Sequence, residues 1–299
     1  MPARVRVCKK GVTMQRFSKN GALMLLAAVL AAGGSMAASA QLVETRTIEE
    51  SVPVDGDAQL LVVVQNVFGS VHVTAHDRPS VDMTATETIR AETESDLERA
   101  RAEAGLRTEQ GGGRIAFLDR RSDDGCDCRW RRWDGYVAEY DIVLRVPRDA
   151  SLDVSTVNAG EMVVDGVLGD FEVANVNGPV RLRGLRGTGR VTTVNGRIDA
   201  SFAGAPAGAT LFQSVNGRIE AAFPQDLSAD LEFKTMRGEI WTDFDAQPLS
   251  LPPVRERTQD GSASVVRIER RSAVRVASGG PTHSFETLNG DIYVRQAGR

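Results

Sequence analysis

Thr193-Val194-Asn195-Gly196-Arg197-Ile198 decides the fold, because the phrase recurs. Ser214-Val215-Asn216-Gly217-Arg218-Ile219 is nearly the same six residues. Asn175-Val176-Asn177-Gly178-Pro179-Val180, Thr235-Met236-Arg237-Gly238-Glu239-Ile240 and Thr287-Leu288-Asn289-Gly290-Asp291-Ile292 are variants. Thr156-Val157-Asn158-Ala159-Gly160-Glu161-Met162 is the phrase with one residue inserted. Its glycines fall at 160, 178, 196, 217 and 238, every 18 to 21 residues, and after a gap at 290. A period near 20 is the mark of a stacked repeat.

Aligned on their Val, Met or Leu, the phrases share three apolar columns. Three residues before lie Val154, Val173, Val191, Phe212, Phe233 and Phe285. The aligned position holds Val157, Val176, Val194, Val215, Met236 and Leu288, and four residues after it lie Val180, Ile198, Ile219, Ile240 and Ile292. Side chains alternate along a flat strand, so burying columns three apart requires a corner or bulge. Asn-Gly supplies residues tolerant of positive φ for a tight turn. Arg237 in place of Asn should then cost about 1 kcal/mol if that site is left-handed. The same letters fit Asn-Gly hairpins. Identical columns at full-repeat spacing favour stacked coils, with rungs ~4.8 Å apart and Asn side chains in ladders. The predicted fold is all-β, a β-solenoid or β-helix-like stack, cooperative because one rung cannot stand alone.

The N-terminus reads as a secretory signal peptide over 1–40. Arg16 and Lys19 form a positive n-region, Ala22 to Ala32 a short apolar core, and Ala38-Ser39-Ala40 a cleavage site before Gln41. Met14 is a better start than Met1. No later stretch is long and apolar enough to span a bilayer as a helix. Residues 41–299 carry 30 Lys and Arg against 40 Asp and Glu, a net −10. That charge excludes a general nucleic-acid binder. Two cysteines in an exported chain of this size are no disulfide scaffold.

Outside the repeats, 41–57 reads as a polar lead-in. Strands are predicted at 59–65, 71–75 and 80–89, the first two joined by Asn66-Val67-Phe68-Gly69, a looser copy of the phrase. Ser95-Asp96-Leu97-Glu98 reads as a capping box opening one short helix at about 95–104, with Leu97, Ala100 and Ala104 on its thin apolar side. Strands at 114–119 and 136–146 flank a charged loop. Residues 151–299 form the repeat section, continuous with 41–150, interrupted by an irregular insert at 246–262 and closed by a last repeat at 283–294.

The phrase [Thr/Ser]-Val-Asn-Gly-x-Ile, at this period behind a signal peptide and a strand–helix–strand section, resembles the bacterial β-strand-repeat family labelled putative adhesin, a domain of unknown function. The resemblance covers about 44–294. It implies a β-solenoid-like stack and a role in surface or envelope adhesion, and it carries over no catalytic residue.

Four constellations bear on chemistry. Asp199 and Glu220 would stand ~5 Å apart on adjacent rungs, near the spacing of retaining glycosidases. Arg197 and Arg218 beside them keep both ionised and leave no general acid. His72 and His76, ~13 Å apart on a strand, cannot share one ion. Cys126 and Cys128 fit a strained disulfide, a two-thiolate metal clip or two free thiols. Arg129-Trp130-Arg131-Arg132-Trp133 mixes guanidinium with indole, as a site for acidic glycans or lipid head groups would; beside Asp123, Asp124, Asp127 and Asp134 it also fits a neutralised loop packed on the stack.

These observations lead to a non-enzymatic, exported cell-envelope protein, in the periplasm or on the surface, acting as a scaffold or adhesin-like binding surface, with no cofactor or metal. A strand edge near Tyr293 and Val294, expected at the end of the stack, predicts self-association. The alternatives are a carbohydrate-active enzyme on a parallel β-helix, which needs unpaired carboxylates in a cleft, and a metal-binding envelope protein using Cys126 and Cys128.

Overall fold

A computed structural model describes residues 41–54, 59–120, 135–158, 160–250, 254–260, 263–269 and 272–298. The section before the repeats contains β1 (Leu42–Pro53), β2 (Leu61–Gln65), β3 (Val71–His76), β4 (Ser80–Ala91), α1 (Glu94–Glu103), β5 (Leu106–Gly111), β6 (Arg114–Asp119) and β7 (Tyr136–Pro147). The repeats supply β8 (Ser151–Thr156), β9 (Met162–Asp165), β10 (Phe171–Asn175), β11 (Val180–Leu185), β12 (Gly189–Asn195), β13 (Ile198–Phe202), β14 (Thr210–Asn216), β15 (Ile219–Phe223), β16 (Ala229–Arg237) and β17 (Ile240–Thr242). Then come β18 (Ala246–Leu249), β19 (Val254–Asp260), β20 (Ala263–Glu269), β21 (Ser272–Val276), β22 (Thr282–Asn289) and β23 (Ile292–Gln296). The protein is all-β with one helix among the described residues.

Each phrase is the turn between two strands that join different sheets. In one sheet β2, β8, β10, β12, β14, β22 and β16 run parallel in that order. In the other, β3, β9, β11, β13, β15, β23 and β17 do the same. The register matches the outer two sequence columns: Val154, Val173, Val191, Phe212, Phe285 and Phe233 pair in series, as do Met162, Val180, Ile198, Ile219, Ile292 and Ile240. Both columns feed one core, except Ile240 at the end of its series, which is exposed. Phe212 stacks on Phe285 at 5.3 Å and Phe202 on Phe223 at 4.7 Å, and Phe202 meets Phe212 edge-on across the core.

The aligned column itself does not pack inward. Val194, Val215, Leu288 and Met236 are 39%, 37%, 40% and 72% exposed. The strands keep simple alternation up to the turn, so the small polar residue before each takes the inward place: Thr156, Asn175, Thr193, Ser214 and Thr287 are buried. Those side chains bond to the neighbouring rung. Asn175 donates to Gly160 O at 3.1 Å, Ser214 to Gly196 O at 3.2 Å, Thr287 to Gly217 O at 3.1 Å and Thr235 to Gly290 O at 3.2 Å.

The turn glycines answer to the same stacking. A Cβ on Gly196 would lie 1.9 Å from Gly178 O, one on Gly217 1.9 Å from Gly196 O, and one on Gly290 2.1 Å from Gly217 O. Close approach of backbone to backbone thus fixes glycine there. The asparagines need no left-handed conformation, since Ala277 is the one described non-glycine residue with positive φ. The backbone penalty expected at Arg237 therefore does not arise. Instead Asn158, Asn177, Asn195, Asn216 and Asn289 form a side-chain ladder with N–O distances of 2.8 to 3.0 Å.

The order of rungs departs from the order of the sequence. The last repeat, β22–β23, inserts between β14–β15 and β16–β17. Tyr293 and Val294 are paired on both sides, with Glu220 and Ala221 and with Trp241 and Thr242. They are not the edge expected from the sequence; β17 is.

At the opposite end the sheet of β3 and β17 (the first sheet; that of β2 and β16 is the second) continues through β7, parallel to β3, into antiparallel β4 and β1. The lead-in is thus a 12-residue strand, because Ile48 and Val52 alternate with polar residues against β4. Thr93, two residues before the expected Ser95, caps α1 and accepts from Asp96 N at 3.1 Å. Leu97, Ala100 and Ala104 are buried as expected. The insert contains β18, which pairs with β21, and β19, which forms a hairpin with β20.

Candidate binding surface

The outward side chains of β9–β17 form the first surface. In register, Val163, Arg181, Asp199, Glu220, Tyr293 and Trp241 make one row. The row is laced with ion pairs. Arg181 bonds Glu161 and lies 3.9 Å from Asp199, Arg197 bonds Asp199, and Arg218 and Arg295 each reach Glu220 at 3.0 Å. Arg218 and Arg295 also lie 5.4 Å from the Tyr293 ring centre. A shallow basin of about 260 Å³ beside Asp199 and Glu220 is lined by Arg181, Arg183 and Arg197. Asp199 and Glu220 are neighbours, as the sequence implied, and both are held by guanidinium groups. Along this row the face offers fixed charge and hydrogen bonding, with Glu161, Asp199 and Glu220 each committed to a guanidinium group.

The outward face of the second sheet differs. Asp153 on β8 pairs in register with Glu172 on β10, which pairs with Arg190 on β12. Partial burial, reinforced by the Glu172 charge and opposed by Arg114, raises the Asp153 carboxyl above the usual carboxylate range. Glu172 and Arg190 border an open basin of about 500 Å³ with Thr210, Ser284 and Glu286. Sequence reading passed over this pair. Its signal was an Asp and a Glu at the same repeat position, each immediately before a core Val, Val154 and Val173; what distinguishes it from Asp199 and Glu220 is burial, which the letters do not carry.

His72 and His76 both lie on β3. His72 points to solvent, while His76 bonds Ser80 O through Nε2 at 2.8 Å. His283 is fully buried: its ring stacks on Phe223 at 5.0 Å, its Nδ1 lies 2.9 Å from Thr210 Oγ1, and burial lowers its pKa to about 4. Among the described residues no three His, Cys, Asp or Glu side chains gather as a metal site. Cys126, Cys128 and Arg129, Trp130, Arg131, Arg132 and Trp133 lie outside the described residues, as does the segment 1–40. No described helix is long and apolar enough to cross a membrane.

The largest exposed apolar groups cluster at the free edge of the first sheet. Every residue from Met236 to Asp243 is exposed, with Trp241 at 55%. On the second sheet β21 and β18 extend the end antiparallel, but β21 covers β16 only along Ala229–Phe233.

No family model matches the sequence, and a search of curated proteins found no match. Solved structures do resemble it. A putative cell adhesion protein from Clostridium sporogenes has TM-score 0.43 at 9% identity, over 85% of this chain and 100% of that one. A putative adhesin from Bacteroides fragilis has TM-score 0.34 at 10% identity, over 84% and 97%. A putative lipid binding protein from Parabacteroides distasonis has TM-score 0.29 at 12% identity, over 85% and 96%.

Proposed function

We propose that the chain is an exported, non-enzymatic β-solenoid protein of the cell envelope, a scaffold that presents long, fixed rows of side chains as an adhesin-like binding surface. The mature protein begins at Gln41, and 41–150 and 151–299 are one continuous stack. The observation that carries the reading is the salt-bridged outer row from Glu161 to Arg295, a rigid charged surface whose carboxylates are all engaged. Acidic glycans or lipid head groups bind at Arg129, Trp130, Arg131, Arg132 and Trp133, with Cys126 and Cys128 joined as a disulfide beside them. A glycan array and anionic vesicle flotation, run on the wild type and on Trp130→Ala/Trp133→Ala, test this. Binding lost in the variant supports the loop. Absence of binding by the wild type rejects the adhesin-like surface and leaves the scaffold.

Asp153 and Glu172 favour a second reading, a carbohydrate-active enzyme, since one acid of the pair is held toward its neutral form. Release of reducing sugar from envelope polysaccharides, abolished in both Asp153→Asn and Glu172→Gln, would establish it. No release by the wild type removes it.

A further inference from the structure

We propose that the free edge of the first sheet joins two copies of this chain through β17, antiparallel about a two-fold axis at Ile240. The inference rests on the scaffold reading above and gives its self-association a site.

Hydrogen-bond phase limits the possibilities first. Glu239 O accepts from Ile292 N at 2.9 Å, and Asp243 N donates to Val294 O at 3.1 Å. Odd-numbered residues therefore direct their backbone groups into the sheet, and Ile240 and Thr242 direct theirs to the open edge. An antiparallel partner must pair even residues with even. Placing Trp241 on the axis would satisfy that but set Glu239 against Asp243, two like charges. With Ile240 on the axis, Ile240 meets Ile240, Gly238 meets Thr242, and Glu239 meets Trp241. Arg237 of each copy then faces Asp243 of the other. Both residues are exposed, and neither side chain makes an ion pair among the described residues. A parallel copy cannot pair in register, because a parallel ladder sets each outward-directed residue opposite one directed away, and both copies present their even residues.

The edge is also bare where natural edges are usually protected. It carries Ile240 and Trp241 in place of the charges that discourage pairing, and Met236 at its corner is the most exposed large apolar residue described. A two-fold contact consumes this edge in both copies and closes, giving a dimer and no filament.

Sedimentation velocity of the full chain, produced in a bacterial host with its own N-terminal segment, tests the interface over a concentration series into the millimolar range. A monomer–dimer equilibrium is expected for the wild type. Arg237→Asp and Asp243→Arg should each weaken the dimer by about tenfold or more, and the double variant should recover most of the loss. Both side chains are exposed and unpaired, so circular dichroism should not change. A wild type that stays monomeric throughout overturns the proposal, as does a dimer indifferent to the single reversals or not restored by the double. Glycan and vesicle binding by a strictly monomeric protein would remove this interface and leave the binding-surface reading standing.

Discussion

The two edges of the first sheet are finished in opposite ways. One is β1, twelve residues long and charged along its length by Glu44, Arg46, Glu49 and Glu50. It rests on β4 and β7, and the core behind it is filled by Met83, Ile89, Tyr140 and Leu144. Even its buried charge is engaged: Glu87 accepts from the Tyr140 hydroxyl at 2.8 Å and pairs with Arg46. The other edge is β17, three residues long, with an indole in the open. A repeat array makes identical interfaces on both sides of every rung, so its ends must be closed by sequence that does not repeat. Here non-repetitive sequence closes one end fully, while β21 and β18 close only part of the other.

If that contrast governs stability, a lesion should cost more inside the ladder than at the open edge. The largest effect is expected for glycine. Gly217→Ala places a Cβ 1.9 Å from Gly196 O, beneath two further rungs, and should cost about 3 kcal/mol or more. Gly238→Ala meets Gly290 O equally closely, but its rung can peel away, so its loss should be about 1 kcal/mol. Urea denaturation of both checks the ranking; equal losses would break the comparison.

Acid gives the next effect. His283 lies in the inserted rung, between Thr210 and Leu231. Its folded pKa of about 4 lies below the unfolded value near 6.5. Above pH 6.5 neither state is protonated and the group contributes nothing. As pH falls from 6.5 toward 4 the unfolded chain takes up the proton first, and stability drops by about 3 kcal/mol over that window. His283→Phe, which keeps a ring against Phe223, should abolish this part of the pH dependence. Hydrogen exchange at pH 5 should show β14, β22 and β16 loosening before β4 and β7.

The smallest effect should come from the asparagine ladder. Asn195→Ala removes two side-chain bonds, for about 1 to 2 kcal/mol, whereas Asn289→Ala removes one, for about half of that. Thermal melts of the two variants would sharpen the distinction between interior and end.

The repeat was legible because its chemistry is periodic. The Val154 and Val180 columns, the asparagine ladder and the helix at 94–103 all follow from the letters. The aligned column from Val157 to Met236 misled because apolar letters suggest burial, while the strand's alternation assigns the inward place to the Thr or Ser before them. Spacing and stacking decide between these, and the hydroxyl bond to a glycine carbonyl one rung away is a long-range contact that no local pattern encodes. The edge was misplaced for a related reason. Thr235-Met236-Arg237-Gly238-Glu239-Ile240 and Thr287-Leu288-Asn289-Gly290-Asp291-Ile292 are interchangeable as phrases, so nothing local says which lies outermost. At the candidate sites, the Asp199 and Glu220 pairing was readable from flanking arginines, whereas the Asp153 and Glu172 contrast depends on burial.

The inserted rung has a consequence for the order of events in synthesis. Residues 229–242 emerge before 282–296, yet the later segment is the floor on which the earlier one finally rests. While the C-terminus is still missing, Phe233 and Ile240 find Phe212 and Ile219 exposed, with the same columns and the same glycine pocket. A chain that folds as it emerges will close on that surface and must reopen to admit β22 and β23. Folding that begins only once all of the rungs are present avoids the detour.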